Sequence, residues 1–215
     1  MKRDLTHVLW IGGSPCSGKS SVAEILAEEY NLSMYRCDDA FAEHARHADS
    51  DRHPTLHRLT HMTWDEIWMR PVEVQVADEF ACYREEFAMI VDDLMGYPAS
   101  TPVIAEGAAL LPECVSCVLP DRHRAVWIVP TEAFQRRHYT LERRPWMREI
   151  LDQCQDPERA FQNWMGRDAG FARLVVKSAR ELDLAVLEVN GERTLAENAG
   201  VIARHFQPAE GWGCR

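Results

Sequence analysis

The sequence predicts an α/β fold in which helices cover both faces of a five-stranded parallel sheet. Short apolar runs alternate with amphipathic segments along the chain, which is the order of elements in such folds. The apolar runs are nearly continuous, as expected for strands that are buried on both faces. The chain has 215 residues, of which 46% are hydrophobic, and this is enough for one domain with a full core.

Five apolar runs are predicted to be strands. The first run ends in glycines, the second leads to two aspartates, and the third ends in a glutamate. In open α/β sheets ligands bind beyond the carboxyl ends of the strands, so the residues at these ends are candidates for one site. The predicted strands are residues 7–12, 32–37, 103–106, 125–129 and 185–189.

Helices are predicted from their periodicity and from capping signals. Thr63 and Thr194 each begin a capping box, with a glutamate three residues later. Asp156 precedes a proline that suits the first turn of a helix. Residues 40–63 have weak periodicity and are predicted to be a loop with helical pieces. The predicted helices are residues 22–30, 64–68, 71–94, 131–144, 156–182 and 194–206.

Residues 13–20 have the sequence GSPCSGKS, which fits the phosphate-binding pattern G-x-x-x-x-G-K-[ST] without a mismatch. The segment follows the first predicted strand and opens the first helix, so backbone N–H groups and the helix dipole can surround a phosphate. Lys19 is expected to contact the β- and γ-phosphates, and the Ser20 hydroxyl is expected to bind Mg²⁺. The predicted nucleotide-binding residues are Gly13, Ser14, Pro15, Cys16, Ser17, Gly18, Lys19, Ser20 and Ser21.

Acidic residues follow the second strand and end the third. Asp38, taken as the last residue of its strand, is predicted to face the γ-phosphate, to bind the substrate and to take the proton of an acceptor hydroxyl. Asp39 is expected to cap the next helix. Glu106 resembles the acid of the Walker-B pattern and is expected either to hold Mg²⁺ or to hydrogen-bond the substrate. The alternatives are solvated helix caps for the two aspartates and a structural role for Glu106.

A group of arginines follows the fourth strand. Arginines that close over a phosphoryl group stabilise the charge that develops during its transfer. Arg136 and Arg143 are seven residues apart and share a face if the helix at 131–144 is continuous. Arg137 and Arg144 share a face for the same reason. These four arginines are predicted to be catalytic, and the alternative is a solvated basic face paired with nearby glutamates.

The segment between the second and third strands is predicted to bind the acceptor. His57, Arg58 and Arg70 are candidate donors to an anionic or hydroxylated substrate. His53, His57 and His61 are spaced four apart and could hold a metal on one helix. No carboxylate or cysteine completes that set, so a polar or solvated stretch is favoured over a metal site.

Charge and cysteine content restrict the classes of partner. The net charge of -10 argues against a broad surface for nucleic acid or for anionic membranes. The longest apolar stretch near the start, residues 8–11, is too short for a signal sequence or a membrane span. Seven cysteines without framework spacing indicate free thiols in a reducing cytoplasm. The sequence leaves the oligomeric state open.

Together these features resemble the P-loop small-molecule kinases, the group that includes nucleoside-monophosphate, shikimate and gluconate kinases. The stretch Arg36-Cys37-Asp38-Asp39 is similar to the R-D-D stretch of polynucleotide kinases, and residues 11–20 resemble chloramphenicol phosphotransferase. In both families an aspartate at this position is the base, which implies that role for Asp38. The lid signature Asp-Arg-Arg of nucleoside-monophosphate kinases is absent, because Gln135 precedes the arginine pair.

The resemblance implies a three-layer P-loop NTPase fold with strand order 2-3-1-4-5, and it implies ATP and Mg²⁺ as cofactors. It implies a single domain over residues 1–215, with a helical substrate-binding insertion at about 40–100 and a lid-like segment at about 131–155. The expected activity is transfer of the γ-phosphoryl group of ATP to a hydroxyl or phosphate of a small molecule. Two alternatives are a nucleotide-binding switch or regulatory ATPase without an acceptor, and a folded protein with an occupied P-loop and no catalysis.

Overall fold

A five-stranded parallel sheet forms the centre of the molecule. The computed structural model describes residues 5–140 and 144–207. The strand order is β2-β3-β1-β4-β5 and every pair of neighbours is parallel, so the predicted fold class and strand order are confirmed. The strands are β1 (Val8–Gly13), β2 (Ser33–Arg36), β3 (Val103–Glu106), β4 (Ala125–Pro130) and β5 (Ala185–Val189).

Helices connect the strands and cover the sheet. They are α1 (Lys19–Tyr30), α2 (Cys37–His47), α3 (Pro54–Thr60), α4 (Trp64–Trp68), α5 (Val72–Met95), α6 (Pro112–Ser116), α7 (Glu132–His138), α8 (Pro145–Leu151), α9 (Pro157–Glu181) and α10 (Leu195–Phe206). Both predicted capping boxes form, at Thr63 before α4 and at Thr194 before α10. No helix in the described ranges is long and apolar enough to span a membrane.

Alternate residues of each strand face opposite layers. Trp10 and Trp127 belong to the apolar cluster that includes side chains of α5 and α9. Leu9 and Ile128 belong to the cluster that includes side chains of α1 and α10. Both faces of the sheet are therefore covered, which explains why the strands are apolar at nearly every position.

A third apolar cluster lies beside the sheet and joins α4, α8 and α9. The rings of Trp68 and Trp164 stack with their centres 3.9 Å apart, and Trp146 meets the edge of Trp164 at 5.7 Å. Tyr139 is buried in the same cluster. This cluster anchors the short helices that flank one end of the long helix α9.

The continuous helix predicted for residues 131–144 is wrong. Helix α7 ends at His138, because the backbone leaves the helical region at Tyr139, whose side chain is buried in the third cluster. Helix α8 then begins at Pro145, a residue that suits a first turn but not a helix interior. The expected shared helical face of Arg137 and Arg144 is therefore lost, and Arg143 lies outside the described residues.

The end of β3 and the start of α2 approach each other closely at Gly107. A Cβ atom at this position would lie 2.5 Å from the Cβ of Cys37 and 2.7 Å from its Sγ. We expect Gly107→Ala to lower the free energy of unfolding by about 1–3 kcal/mol, since backbone must shift to remove the overlap. Urea denaturation of the purified variant measures the loss.

Gly200→Ala in α10 is the matched control. Its added Cβ would have its nearest neighbour, a nitrogen of the Arg204 guanidinium, 3.6 Å away. Alanine in a helix interior is favoured over glycine, so this variant should keep or gain stability. Equal losses in the two variants would contradict the close approach at Gly107.

Candidate active site

The loop between β1 and α1 has the backbone geometry of an anion-binding loop. Gly13, Cys16 and Gly18 have positive φ angles of 137°, 64° and 76°. A Cβ on Gly13 would lie 1.9 Å from the carbonyl oxygen of Ile128, so only glycine fits. A positive φ at a residue with a side chain, such as Cys16, is strained, and strain of this kind collects in ligand-binding loops. The predicted nucleotide-binding residues therefore form one tight turn and the first turn of α1.

Two serines of this loop are buried without partners. The hydroxyl groups of Ser14 and Ser17 have no hydrogen-bond partner among the described residues, and the side chains are 0% and 3% exposed. Gly18 precedes α1, and no side chain caps the N-terminus of that helix. A buried hydroxyl without a partner costs free energy, so the loop offers polar groups that a phosphate would satisfy. These residues fit the polyphosphate of a nucleotide.

A hydroxyl and a carboxylate meet at the other side of the loop. The Ser20 Oγ donates a hydrogen bond to Glu106 Oε2 over 3.1 Å. Glu106 ends β3 and is 2% exposed, and burial raises its pKa while the neighbouring ammonium group of Lys19 lowers it. Hydroxyl and carboxylate oxygens are suitable ligands for Mg²⁺. The pair predicted from the sequence to bind metal is thus in contact.

Asp38 lies in the first turn of α2, and not at the end of β2 as predicted. Strand β2 ends at Arg36, and α2 begins at Cys37, whose buried side chain packs against Gly107. Asp39 is not the helix cap, because the N-cap is Arg36 and no side chain caps the helix. Asp39 instead lies 3.9 Å from the guanidinium of Arg36. Despite its shifted position, Asp38 faces a cavity.

The cavity beside Asp38 has a volume of about 310 Å³ and is lined by side chains of α2, α3, α4, α5 and α9. Most of its wall comes from the region predicted to bind the acceptor. Arg70 is part of the wall, whereas His57 and Arg58 are not. The His57 ring stacks on His61 at 4.3 Å, and Arg58 forms an ion pair with Asp78 over 2.7 Å. Of the three predicted donors, the structure thus brings one into the cavity.

The sequence analysis missed a buried arginine in the cavity wall. Arg167 of α9 forms ion pairs with Glu79 over 3.2 Å and with Asp168 over 2.7 Å. Its guanidinium also lies 4.9 Å from the centre of the Trp68 ring. Burial raises the pKa of Glu79 to about 7 and raises the pKa of Asp168, although Arg167 opposes both shifts. No local pattern around Arg167 signals this role, because its partner Glu79 is on another helix.

A second, partly buried network of hydrogen bonds around His44 holds Glu86 in the same wall. The Nδ1 atom of His44 lies 2.9 Å from Glu86 Oε1, and its Nε2 atom lies 3.0 Å from Asp93 Oδ2. The Tyr35 hydroxyl donates to Asp93 over 2.7 Å. The hydrogen bond to Glu86 raises the pKa of His44, so the ring favours its charged form between the two carboxylates. Glu86, which lines the cavity, is held through one of its two oxygens.

The predicted catalytic arginines are dispersed. Arg136 pairs with Glu132 over 2.7 Å at the surface, as in the alternative of a solvated basic face, and Arg137 is exposed. The Arg144 guanidinium lies 4.4 Å from the centre of the Tyr139 ring. Burial raises the pKa of Asp168, and Arg144 is among the groups that oppose this shift. Arg144 thus acts on the ion-pair partner of the wall residue Arg167.

Comparison with known proteins finds a likeness of fold. A shikimate kinase from Acinetobacter baumannii, in complex with shikimate, has a TM-score of 0.47 and 15% identity, covering 95% of this chain and 94% of that chain. A shikimate kinase from Aquifex aeolicus has a TM-score of 0.40 and 16% identity, covering 94% and 96%. No family model and no curated protein matches the sequence.

The raised pKa of Glu79 makes stability depend on pH. Its carboxyl group titrates near 4.5 when unperturbed and near 7 in the folded protein, so the folded state holds an extra proton between these values. The free energy of unfolding contributed by this group therefore falls as the pH rises from about 4.5 to about 7. We expect the stability of Glu79→Gln to fall less over this interval, as measured by urea denaturation at several pH values.

Glu73→Gln on the same helix is the control, because Glu73 is exposed and lies outside the cavity. Its stability should follow the native pH dependence. A Glu79→Gln curve parallel to the native one would show that Glu79 does not titrate in this interval.

Proposed function

We propose that the protein is an ATP-dependent phosphotransferase that transfers the γ-phosphoryl group to a hydroxyl or phosphate group of a small molecule. The observation that carries this proposal is the cavity at Asp38: its lining residue Cys37 packs against Gly107, and the neighbouring Glu106 accepts a hydrogen bond from Ser20 of the glycine-rich loop. Burial raises the pKa of both Glu106 and Glu79, and the positive charge of Lys19 opposes both shifts. A nucleotide-binding switch has no need of such a cavity, which favours a phosphotransferase.

The loop residues are proposed to hold ATP. The Ser14 and Ser17 hydroxyls and the backbone N–H groups of the loop would surround the phosphates, with Lys19 at the β- and γ-phosphates. Ser20 and Glu106 would hold Mg²⁺, which neutralises charge on the phosphates when it is bound. The unpartnered hydroxyls and the existing contact between Ser20 and Glu106 support this assignment.

Asp38 is proposed to orient the acceptor and to take its proton. The carboxylate lies at the cavity surface, and its negative charge adds to the burial that raises the pKa of Glu106. A carboxylate in this position can accept the hydroxyl proton as the new bond to phosphorus forms. Among the predicted arginines, we assign charge stabilisation to Arg144, because of its link to the cavity wall.

We also propose that the enzyme works in the cytoplasm, where ATP and reducing conditions occur together. The six cysteines in the described part of the chain are all free thiols.

Lys19→Ala should lower ATP turnover by at least about 100-fold, because the loop loses the positive charge that stabilises the transferring group. A coupled assay for ADP release measures the rate. Lys177→Ala is the control, since Lys177 is exposed on α9 and contacts Glu181 only at 3.9 Å. ADP release at the native rate in Lys19→Ala would refute the assignment of this loop as the ATP site.

Asp38→Asn should lower phosphoryl transfer by about 10²- to 10⁴-fold while the Kd for ATP stays nearly unchanged, because an amide cannot take the proton. Transfer is measured as acceptor-stimulated ADP release, with the acceptor found by screening, and Kd is measured by calorimetry. The matched control is Asp39→Asn, which alters an exposed neighbour. Equal transfer rates in the two variants would exclude Asp38 as the base.

A further inference from the structure

One face of α5 lines the cavity, and all but one of its lining side chains carry oxygen. The lining residues recur every three or four positions, which puts them on one face over about 16 Å of helix. They are Gln75, Asp78, Glu79, Cys82, Tyr83 and Glu86. Three of these six side chains are acidic and one is an amide. The helix face that lines the cavity therefore carries mostly groups that accept hydrogen bonds.

The positive charges in the wall are already neutralised. Arg70 forms an ion pair with Asp78, and Arg167 forms ion pairs with Glu79 and Asp168. No other arginine or lysine of the described chain lines the cavity. An anionic acceptor would have to compete with these buried carboxylates for the same guanidinium groups, which disfavours it.

Three buried oxygen atoms in the wall have no hydrogen-bond partner among the described residues. They are Gln75 Oε1, Glu79 Oε2 and Glu86 Oε2, on side chains that are 4%, 6% and 1% exposed. An amide or ionised carboxylate oxygen only accepts hydrogen bonds, so each of these atoms requires a donor. The side chains that carry these atoms line the cavity, so a ligand bound there with several N–H or O–H groups is a source of donors for them.

The two glutamates are fixed in place through their other oxygens. Glu86 Oε1 is bound by His44, and Glu79 Oε1 accepts from the Tyr83 hydroxyl over 3.2 Å and faces Arg167. Their second oxygens are thus positioned rather than mobile. Because these second oxygens are already held in place, little further ordering is needed when a ligand donates to them.

The charge of the wall selects the kind of donor. The lining acids Asp38, Asp78, Glu79 and Glu86 outnumber the two arginines, which leaves the cavity with a formal charge of -2 when all four are ionised. Burial raises the pKa of Glu79 and of Glu86, so their ionised forms are under-stabilised without a further cation. An ammonium group supplies both the missing charge and up to three N–H donors.

On the basis of the proposed phosphotransferase function, we infer that the acceptor is an amino alcohol whose ammonium group binds Glu79 or Glu86 on the acidic face of α5 and whose hydroxyl lies at Asp38. Phe41 and Trp68 supply apolar surface for its carbon frame. The volume of about 310 Å³ is at the lower end for ligand pockets and suits a compound of the size of a single sugar ring.

The inferred reaction is transfer to oxygen and not to nitrogen. The acceptor oxygen forms a bond to the γ-phosphorus, and the bond from that phosphorus to the β–γ bridging oxygen breaks. ADP leaves with the electron pair of that bond, and Asp38 takes the hydroxyl proton. The protonated amine has no lone pair and stays bound to its glutamate.

Probes that share a carbon frame and differ in charged group test the inference. Glucosamine, glucose and glucuronate share one ring, and serinol, glycerol and glycerate form a smaller set. Calorimetry with the full chain, Mg²⁺ and a non-hydrolysable ATP analogue gives the Kd of each probe, and ADP release with ATP gives the turnover. We expect an amine probe to bind at least 10-fold more tightly than its neutral and anionic partners. Equal or tighter binding of a neutral or anionic partner, or no binding of either amine, overturns the inference.

Variants then locate the amine. Of Glu86→Gln and Glu79→Gln, the variant at the glutamate that holds the amine should weaken binding of the amine probe about 10- to 100-fold and leave the neutral probe nearly unchanged, since a charge-assisted bond is lost. Glu73→Gln, on the exposed side of α5, should behave as the native protein. Amine binding in Glu86→Gln and Glu79→Gln equal to that in Glu73→Gln overturns the assignment. Circular dichroism checks folding, and if either variant is unfolded, the order of the probes on the native protein decides.

The two proposals fail in different ways. If ATP with Mg²⁺ gives no binding heat and Lys19→Ala leaves ADP release unchanged, the phosphotransferase function itself fails. If ATP binds and turns over but the anionic probes bind best, only the inferred acceptor class fails.

Discussion

The buried carboxylate of Glu106 is the point on which the arrangement of the site depends. It ends the strand next to β1, accepts a hydrogen bond from Ser20, and is influenced by Lys19 on one side and by Asp38 on the other. Burial of a carboxylate is costly unless neighbouring groups compensate it. The lysine and serine of the loop provide that compensation, so the loop is held at the same edge of the sheet as the acids.

The packing of α5 against α9 builds the cavity at this edge. Arg167 of α9 is buried with two carboxylates and lies against the ring of Trp68, which also stacks on the ring of Trp164. Removing one member of such a cluster leaves an uncompensated buried charge and costs about 3–5 kcal/mol. The cluster therefore fixes the packing of α5 against α9. Its two carboxylates neutralise the positive charge of Arg167 in the cavity wall.

The segment after β4 shows how burial overrides a local pattern. Periodicity and the threonine cap favour one helix over residues 131–144, and the start of that helix does form. The helix ends where the backbone leaves the helical region at Tyr139, whose side chain is buried in the cluster with Trp68 and Trp164. The Arg144 guanidinium lies over the ring of Tyr139, while Arg136 stays at the surface with Glu132.

Local chemistry let the sequence by itself determine the approximate positions of the strands, both capping boxes, the glycine-rich turn after β1 and the acid that ends β3. These features follow from residues close together in the chain: glycines that allow positive φ, a cap and its glutamate, or an apolar run. Only the tertiary structure decided the wall of the cavity. Glu79 and Arg167 are on different helices, as are His44 and Glu86, and their pairing depends on how those helices pack, which no local pattern encodes.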